Sequence, residues 1–227
     1  MSFAVPAWDL PSLPVAGSAD RFPVRRIYCI GRNYAAHARE MGADEREPPF
    51  FFLKPADAIV QNGATIPYPA ATKDLHYEAE LVAAIGRAGA NISMEDANDH
   101  VFGYGVGIDL TRRDLQNEAK EMRRPWDMGK GFDASAPCSA IHPASEIGHP
   151  NSGAITLMVN GAFKQQGDIA DMIWNIPESI AYLSGLMRLV AGDLIYTGTP
   201  DGVGAIVSGD DVVVHVDGVC DLNIKIG

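Results

Sequence analysis

Two glutamates separated by one residue, Glu78 and Glu80, are the first feature of this 227-residue sequence that could do chemistry. Residues 75–85 (LHYEAELVAAI) alternate His76, Glu78 and Glu80 with Tyr77, Ala79 and Leu81. A period of two predicts a strand, with the two carboxylates on one face and their Cα atoms about 6.5–7 Å apart. Like charges on an apolar-flanked strand repel and lose hydration, so they call for a positive partner. A hard divalent cation such as Mg²⁺ or Ca²⁺ takes oxygen ligands and meets that need. Asp109 ends a Gly-rich apolar stretch, 101–110 (VFGYGVGIDL), and offers a third oxygen. The same spacing also suits a solvent-facing strand edge with hydrated carboxylates.

His37 and Glu40 are spaced i, i+3 in a segment with good helix formers, 33–41. Side by side on a helix, the carboxylate fixes the imidazole tautomer and raises its basicity, as a general base requires. Surface His–Glu neighbours are also common. His76 shares the Glu78/Glu80 face and could reach a metal as an outer-shell group; the other histidines are weaker candidates. Lys130 stands between two glycines (GKGFD), on a backbone tight enough to aim it into a site, although exposed loop lysines are commoner. The run 198–204 (GTPDGVG) could cradle a carboxylate with its backbone N–H groups, or be a plain turn. P-loop, G-x-S-x-G and H-E-x-x-H patterns are absent.

The elements that must hold these residues are mostly strands. Strands are predicted at 24–30, 50–53, from 58, 75–85, 101–110 and 194–197. Two hairpins are predicted, at Asn160-Gly161 and Asp217-Gly218. Helices are predicted at 111–123, and from Pro177, capped by Asn175 and closed by Gly192. Residues 1–23 are Pro-rich and read as an irregular tail. Eighteen Lys+Arg against 29 Asp+Glu give −11, which opposes nucleic-acid binding. The charge is uneven, since residues 112–130 carry six basic and four acidic groups. No apolar run reaches a membrane span or a signal peptide, and three scattered cysteines suit reduced thiols, so a cytoplasmic protein is expected.

In this order the segments GRNYAAHAREMG (31–42), YEAEL (77–81), GIDLTRRDLQ (107–116), GKGFD (129–133) and YTGTPDGVG (196–204) resemble the fumarylacetoacetate hydrolase family, over about residues 24–227. The resemblance implies an α+β, β-rich fold, a mixed β-roll with short peripheral helices, in one catalytic domain (24–227) behind a 1–23 tail. It also implies a homodimer with Mg²⁺ or Mn²⁺ held by Glu78, Glu80 and Asp109. His37 and Glu40 match the family's pair on a lid that orders with substrate, and Lys130 its active-site lysine. Arg113 and Gln116 match residues near the substrate, and Thr199 the threonine of a carboxylate-holding turn.

The implied activity is hydrolysis of the carbon–carbon bond of an acylpyruvate. The segments RPWDMGKGFD and QGDIADMIWNIP point to fumarylpyruvate, in aromatic-acid catabolism. His37, polarised by Glu40, removes a proton from the water that attacks the distal carbonyl, and Lys130 stabilises the oxyanion. Fumarylpyruvate has a second carboxylate, for which Arg113, Arg123, Arg124 and Arg32 are candidates. The same platform supports oxaloacetate-type decarboxylation, 2-oxo-enoate hydration and keto–enol isomerisation. A non-catalytic oxo-acid-binding domain is the rival of another class. Under the hydrolytic reading, Glu40→Gln lowers kcat by roughly 10²–10⁴, the span of general-base contributions. Unchanged turnover in steady-state assays of that variant removes the pair from the mechanism.

Overall fold

A computed structural model describes residues 3–34 and 47–227. The predicted segment 33–41 lies outside that range apart from its first two residues. An eight-stranded mixed sheet forms the centre, in the order Phe50–Lys54, Arg26–Gly31, Asp193–Tyr196, Ala79–Ile85, Val101–Ile108, Ala136–Cys138 and Ile59–Gln61, with His142–Pro143 alongside Val101–Ile108. Two pairings are parallel, Arg26–Gly31 with Asp193–Tyr196 and Ala136–Cys138 with Ile59–Gln61, and the others are antiparallel. The fold is α+β and β-rich, with short helices at its edges.

Strand Ala79–Ile85 explains why the sheet is central. All seven residues are buried, with Leu81, Ala83 and Ile85 in one core and Val82 and Ala84 in another. A strand buried on both faces reads as a continuous apolar run, which LVAAI is. The first core is closed by a five-stranded sheet, ordered Ala162–Asp168, Ala154–Val159, Asp211–Val216, Cys220–Ile226 and Thr65–Ile66, whose Leu157, Val214 and Leu222 point inward. Helix Ile176–Leu186 adds Ile176, Ile180 and Leu183.

The second core is covered partly by residues expected to be irregular. Ser12–Pro14 and Arg21–Pro23 pair as an antiparallel ribbon, and Leu13, Val15 and Phe22 are buried against Ile27, Cys29 and Val82. The prolines, which cannot donate to a ladder, occupy the ribbon's ends.

Both predicted hairpins form, and the first has Asn160 and Gly161 at φ 50 and 79, as a tight type I′ turn needs. Asn175 caps its helix reciprocally with Glu178. That helix stops at Leu186 rather than running toward Gly192, because Met187 is extended (φ −159, ψ 148). The helix predicted at 111–123 is Arg113–Glu121, because Thr111 and Arg112 pair in a strand and Arg123 turns left-handed. Cys29, Cys138 and Cys220 are all free.

The glycines of Val101–Ile108 mark a close backbone approach. A Cβ on Gly103 would lie 2.2 Å from the His142 carbonyl oxygen, on the backbone of the strand paired beside it. Backbone cannot retreat as a flexible side chain can, so Gly103→Ala is expected to lower the unfolding free energy by about 1–3 kcal/mol. Urea unfolding measures this, and an unchanged midpoint would refute the contact.

Candidate active site

The predicted strand 75–85 is broken at Glu78, and the break builds the site. Leu75–Tyr77 belongs to a separate three-stranded sheet, between Thr111–Arg112 and Gly204–Ile206, whereas Ala79–Ile85 belongs to the central sheet. The neighbouring chain makes the same transfer. Thr111 pairs with His76 and Ile108 with Ala79, while the Asp109 N–H donates to the Glu78 carbonyl at 2.9 Å. Glu78 and Asp109 therefore face each other at the corner between two sheets, and Glu80 lies one step inside. Carboxylate oxygens of the three lie within 4.8 Å of one another, and all three residues are buried.

Three buried cations surround them. The Lys130 ammonium donates to Glu78 Oε2 (2.9 Å), Asp109 Oδ2 (2.6 Å) and Thr111 Oγ1 (2.7 Å). Arg113 gives one Nη to Glu78 Oε1 (2.6 Å) and the other to Gln116 Oε1 (2.6 Å). Lys54, which ends strand Phe50–Lys54, lies 2.8 Å from Asp109 Oδ1 and donates to the carbonyls of Leu110 and Lys130. Burial opposes charge on Lys130, but Asp109 and Glu78 outweigh it and hold the lysine above its usual range, so it is an ammonium.

Glu80 is different. Its one oxygen contact here is the Gly198 N–H, at 2.7 Å, and among the described residues no cation pairs with it. Burial, then Asp109 and Glu78, push its carboxyl well above the usual carboxylate range. One buried carboxylate lacks a counter-ion beside two that have theirs, and all donors are hard oxygens. This set fits a divalent cation of the Mg²⁺ or Mn²⁺ type. Glu78, Glu80 and Asp109 are the residues that would hold it.

The turn 198–204 orients both Glu80 and Thr199. Gly198 has φ +93, a conformation that favours glycine, and this aims its N–H at Glu80. Gln165, buried on the inward side of a mostly exposed strand, ties the turn to the carboxylate corner. Its Oε1 must accept from the Ala79 N–H (3.0 Å), so its Nε2 donates to Thr199 Oγ1 (2.8 Å) and the Pro200 carbonyl (2.9 Å). Thr199 Oγ1 thus accepts from Gln165 and keeps its own proton to donate into the pocket it lines.

Of the residues singled out in the sequence, Glu78, Glu80, Asp109, Arg113, Gln116, Lys130 and Thr199 converge here. Lys130 ends a short helix, Asp127–Lys130, rather than standing in an open loop. His76 reaches the cluster indirectly. Its Nδ1 accepts from Arg113 Nε (3.4 Å) and its Nε2 faces Asp74 (2.9 Å), while burial, then Arg113, lower its pKa. His37 and Glu40 lie outside the described residues. Arg123 and Arg124 are exposed and do not line this pocket, whereas Arg32 does.

Lys54, Thr111, Gln165 and Lys120 were not singled out. Lys54 had one signal, a lysine closing the apolar strand FFFLK; Gln165 had none, since its burial depends on register. Lys120 lines the pocket mouth over the Trp126 ring (5.2 Å), and burial, then Arg113 and Arg32, pull its pKa down to about 8.

Residues 26–226 match the family described as fumarylacetoacetate (FAA) hydrolase C-terminal. The chain belongs to the fumarylacetoacetate hydrolase family. Within it, the chain is 45% identical over 181 residues to the fumarylpyruvate hydrolase of Ralstonia sp, covering 80% of this chain and 94% of that one. It is 42% identical over 198 residues to the oxaloacetate tautomerase of Escherichia coli (strain K12), covering 87% and 90%. The crystal structure of fumarylpyruvate hydrolase from Pseudomonas aeruginosa, in complex with Mn²⁺ and pyruvate, superposes with a TM-score of 0.97 at 50% identity over 99% of each chain.

A cation bound by the native state alone stabilises it by mass action. Mn²⁺ at about 100 times its Kd is expected to add about 2.7 kcal/mol, reversed by EDTA. Asp109→Asn abolishes the increment. Thermal unfolding with and without Mn²⁺ reads both, and an equal shift in the variant excludes the triad as the metal site.

Proposed function

We propose that this protein is a divalent-metal-dependent acylpyruvate hydrolase that cleaves fumarylpyruvate to fumarate and pyruvate. The observation that carries the reading is the buried Glu78–Glu80–Asp109 cluster, whose Glu78 and Glu80 line the same pocket as Lys130 and Thr199. The similarity to fumarylpyruvate hydrolases supports the substrate. When bound, the cation supplies Lewis acidity to the 2-oxo acid.

The chain's own residues supply the rest. Thr199 Oγ1–H donates to the carboxylate of the pyruvyl end, its direction set by Gln165. His37, three residues before Glu40 in the sequence, takes a proton from water, whose oxygen bonds to the acyl carbonyl carbon. The bond between that carbon and the pyruvyl methylene then breaks. Its electron pair goes to the pyruvyl half as enolate, which takes up a proton to give pyruvate, while the acyl half leaves as fumarate. Lys130 has spent its three donors on Glu78, Asp109 and Thr111, so it opposes the developing negative charge by its field rather than by a new hydrogen bond.

The reading extends to a cytoplasmic homodimer acting on a small anionic 2-oxo acid, without nucleic-acid or membrane partners. The charge of −11 supports the exclusion of polyanions, and no helix among the described residues is long and apolar enough to cross a membrane. A second reading, keto–enol tautomerisation of oxaloacetate, is favoured by the Escherichia coli relative. It requires proton transfer but no attacking water.

Absorbance decay of fumarylpyruvate, with Mn²⁺ or Mg²⁺ and with EDTA, decides between them. Hydrolysis predicts metal-dependent decay with stoichiometric pyruvate and fumarate. No decay, together with accelerated enol–keto conversion of oxaloacetate, establishes the tautomerase and overturns the hydrolase.

A further inference from the structure

The pocket has a floor and a mouth of different character. Glu80 and Lys130 at the floor are each no more than 2% exposed, whereas Arg32 and Lys120 are half-buried where the pocket meets solvent. The floor's cations are taken. Arg113 directs its Nη groups to Glu78 and Gln116 and its Nε to His76, and Lys130 is committed to Glu78, Asp109 and Thr111. Those at the mouth are not, because among the described residues neither Arg32 nor Lys120 has a carboxylate within ion-pair distance.

Both rest on aromatic faces instead. The Arg32 guanidinium lies 5.8 Å from the Phe50 ring centre, the Lys120 ammonium lies 5.2 Å from that of Trp126, and the two rings meet edge to face. Arg32 Nε is buried without a hydrogen-bond partner among the described residues. An orphaned buried donor is costly, and a ligand is one way to satisfy it.

The backbone fixes where Arg32 points. Arg32 is left-handed at φ +56, an uncommon conformation for a residue with a long side chain. It is held between Gly31, where a Cβ would collide with the Phe50 ring, and Asn33. Asn33 is locked by its side chain to the Thr197 and Trp174 carbonyls (2.7 and 2.9 Å) and to the Trp174 N–H (2.8 Å). Strained residues over-determined by their surroundings cluster at ligand clamps.

We propose that Arg32 and Lys120 form a second anion subsite at the pocket mouth, which holds the far carboxylate of a dicarboxylic acylpyruvate and selects it over monocarboxylic analogues. This rests on the acylpyruvate reading, with the pyruvyl end at the floor. Two half-buried cations lining one pocket mouth, each beside an aromatic ring, repel until an anion enters between them. Lys120 bears this out, since Arg32 is among the groups that hold its pKa down. The subsite draws Lys120 from the basic stretch 112–130 while Arg123 and Arg124 stay in solvent.

The test uses binding, so that it does not depend on turnover. Calorimetry on the Mn²⁺-loaded protein compares 2-oxoheptanedioate with 2-oxoheptanoate, which share a chain length and differ only in the terminal carboxylate. The wild type is expected to prefer the diacid by roughly 10–100-fold, the worth of one or two charge-assisted hydrogen bonds. Lys120→Met and Arg32→Met each bring the preference ratio toward one, and Lys120→Arg restores most of it. Thermal unfolding confirms that the variants fold.

A wild type without diacid preference, or variants that keep it, overturns the subsite even if fumarylpyruvate is cleaved. A preference lost in the variants, in a protein that does not cleave fumarylpyruvate, sustains the subsite while the hydrolase reading fails.

Discussion

Three carboxylates cannot be buried together in water-poor surroundings without positive charge among them, and the architecture around Glu78, Glu80 and Asp109 is organised by that requirement. The charge arrives from separate parts of the chain: Lys54 from a sheet edge, Arg113 from a helix and Lys130 from the short helical turn beyond it. Each donates into a network whose other members are themselves hydrogen-bonded, the condition under which buried ions are tolerated. Glu80 alone is left to a backbone N–H, and this asymmetry marks where a dication fits.

The corner at Glu78 gives the cluster its shape. On an unbroken strand, alternate carboxylates share a face but stand apart as the pleat dictates. Here the chain leaves one sheet for another at Glu78, and its antiparallel neighbour does so at Asp109, so side chains from two strands turn toward a common point. The strand Ala79–Ile85 that carries Glu80 is buried on both faces and has little freedom to follow a ligand, which makes the floor of the pocket rigid.

The sequence carried the strand period, the hairpin turns and the carboxylate spacing openly, because each depends on residues near one another in the chain. The capping box at Asn175 and the Asn-Gly turn at 160–161 are of this local kind. The break at Glu78 was invisible, since the alternation of residues 75–85 runs straight through it and only the pairing partners change. Lys54 and Gln165 were likewise hidden, because each reaches the site by register across a sheet rather than by a local motif. The N-terminal ribbon was hidden by its prolines, which suggest irregular chain yet sit where no ladder donor is needed. Residues 112–130 read as one basic segment, but the fold divides it into buried partners of carboxylates, a half-buried pair of pocket walls and solvated arginines.

The ion pairs of Lys54, Lys130 and Arg113 have a consequence for the order of events in the protein's life. A small zinc domain depends on its ion to fold, because nothing else compensates the ligands. Here the chain brings its own counter-charges to Glu78 and Asp109, and the remaining carboxyl, Glu80, takes the Gly198 N–H. Assembly of the scaffold is thereby separated from capture of the ion.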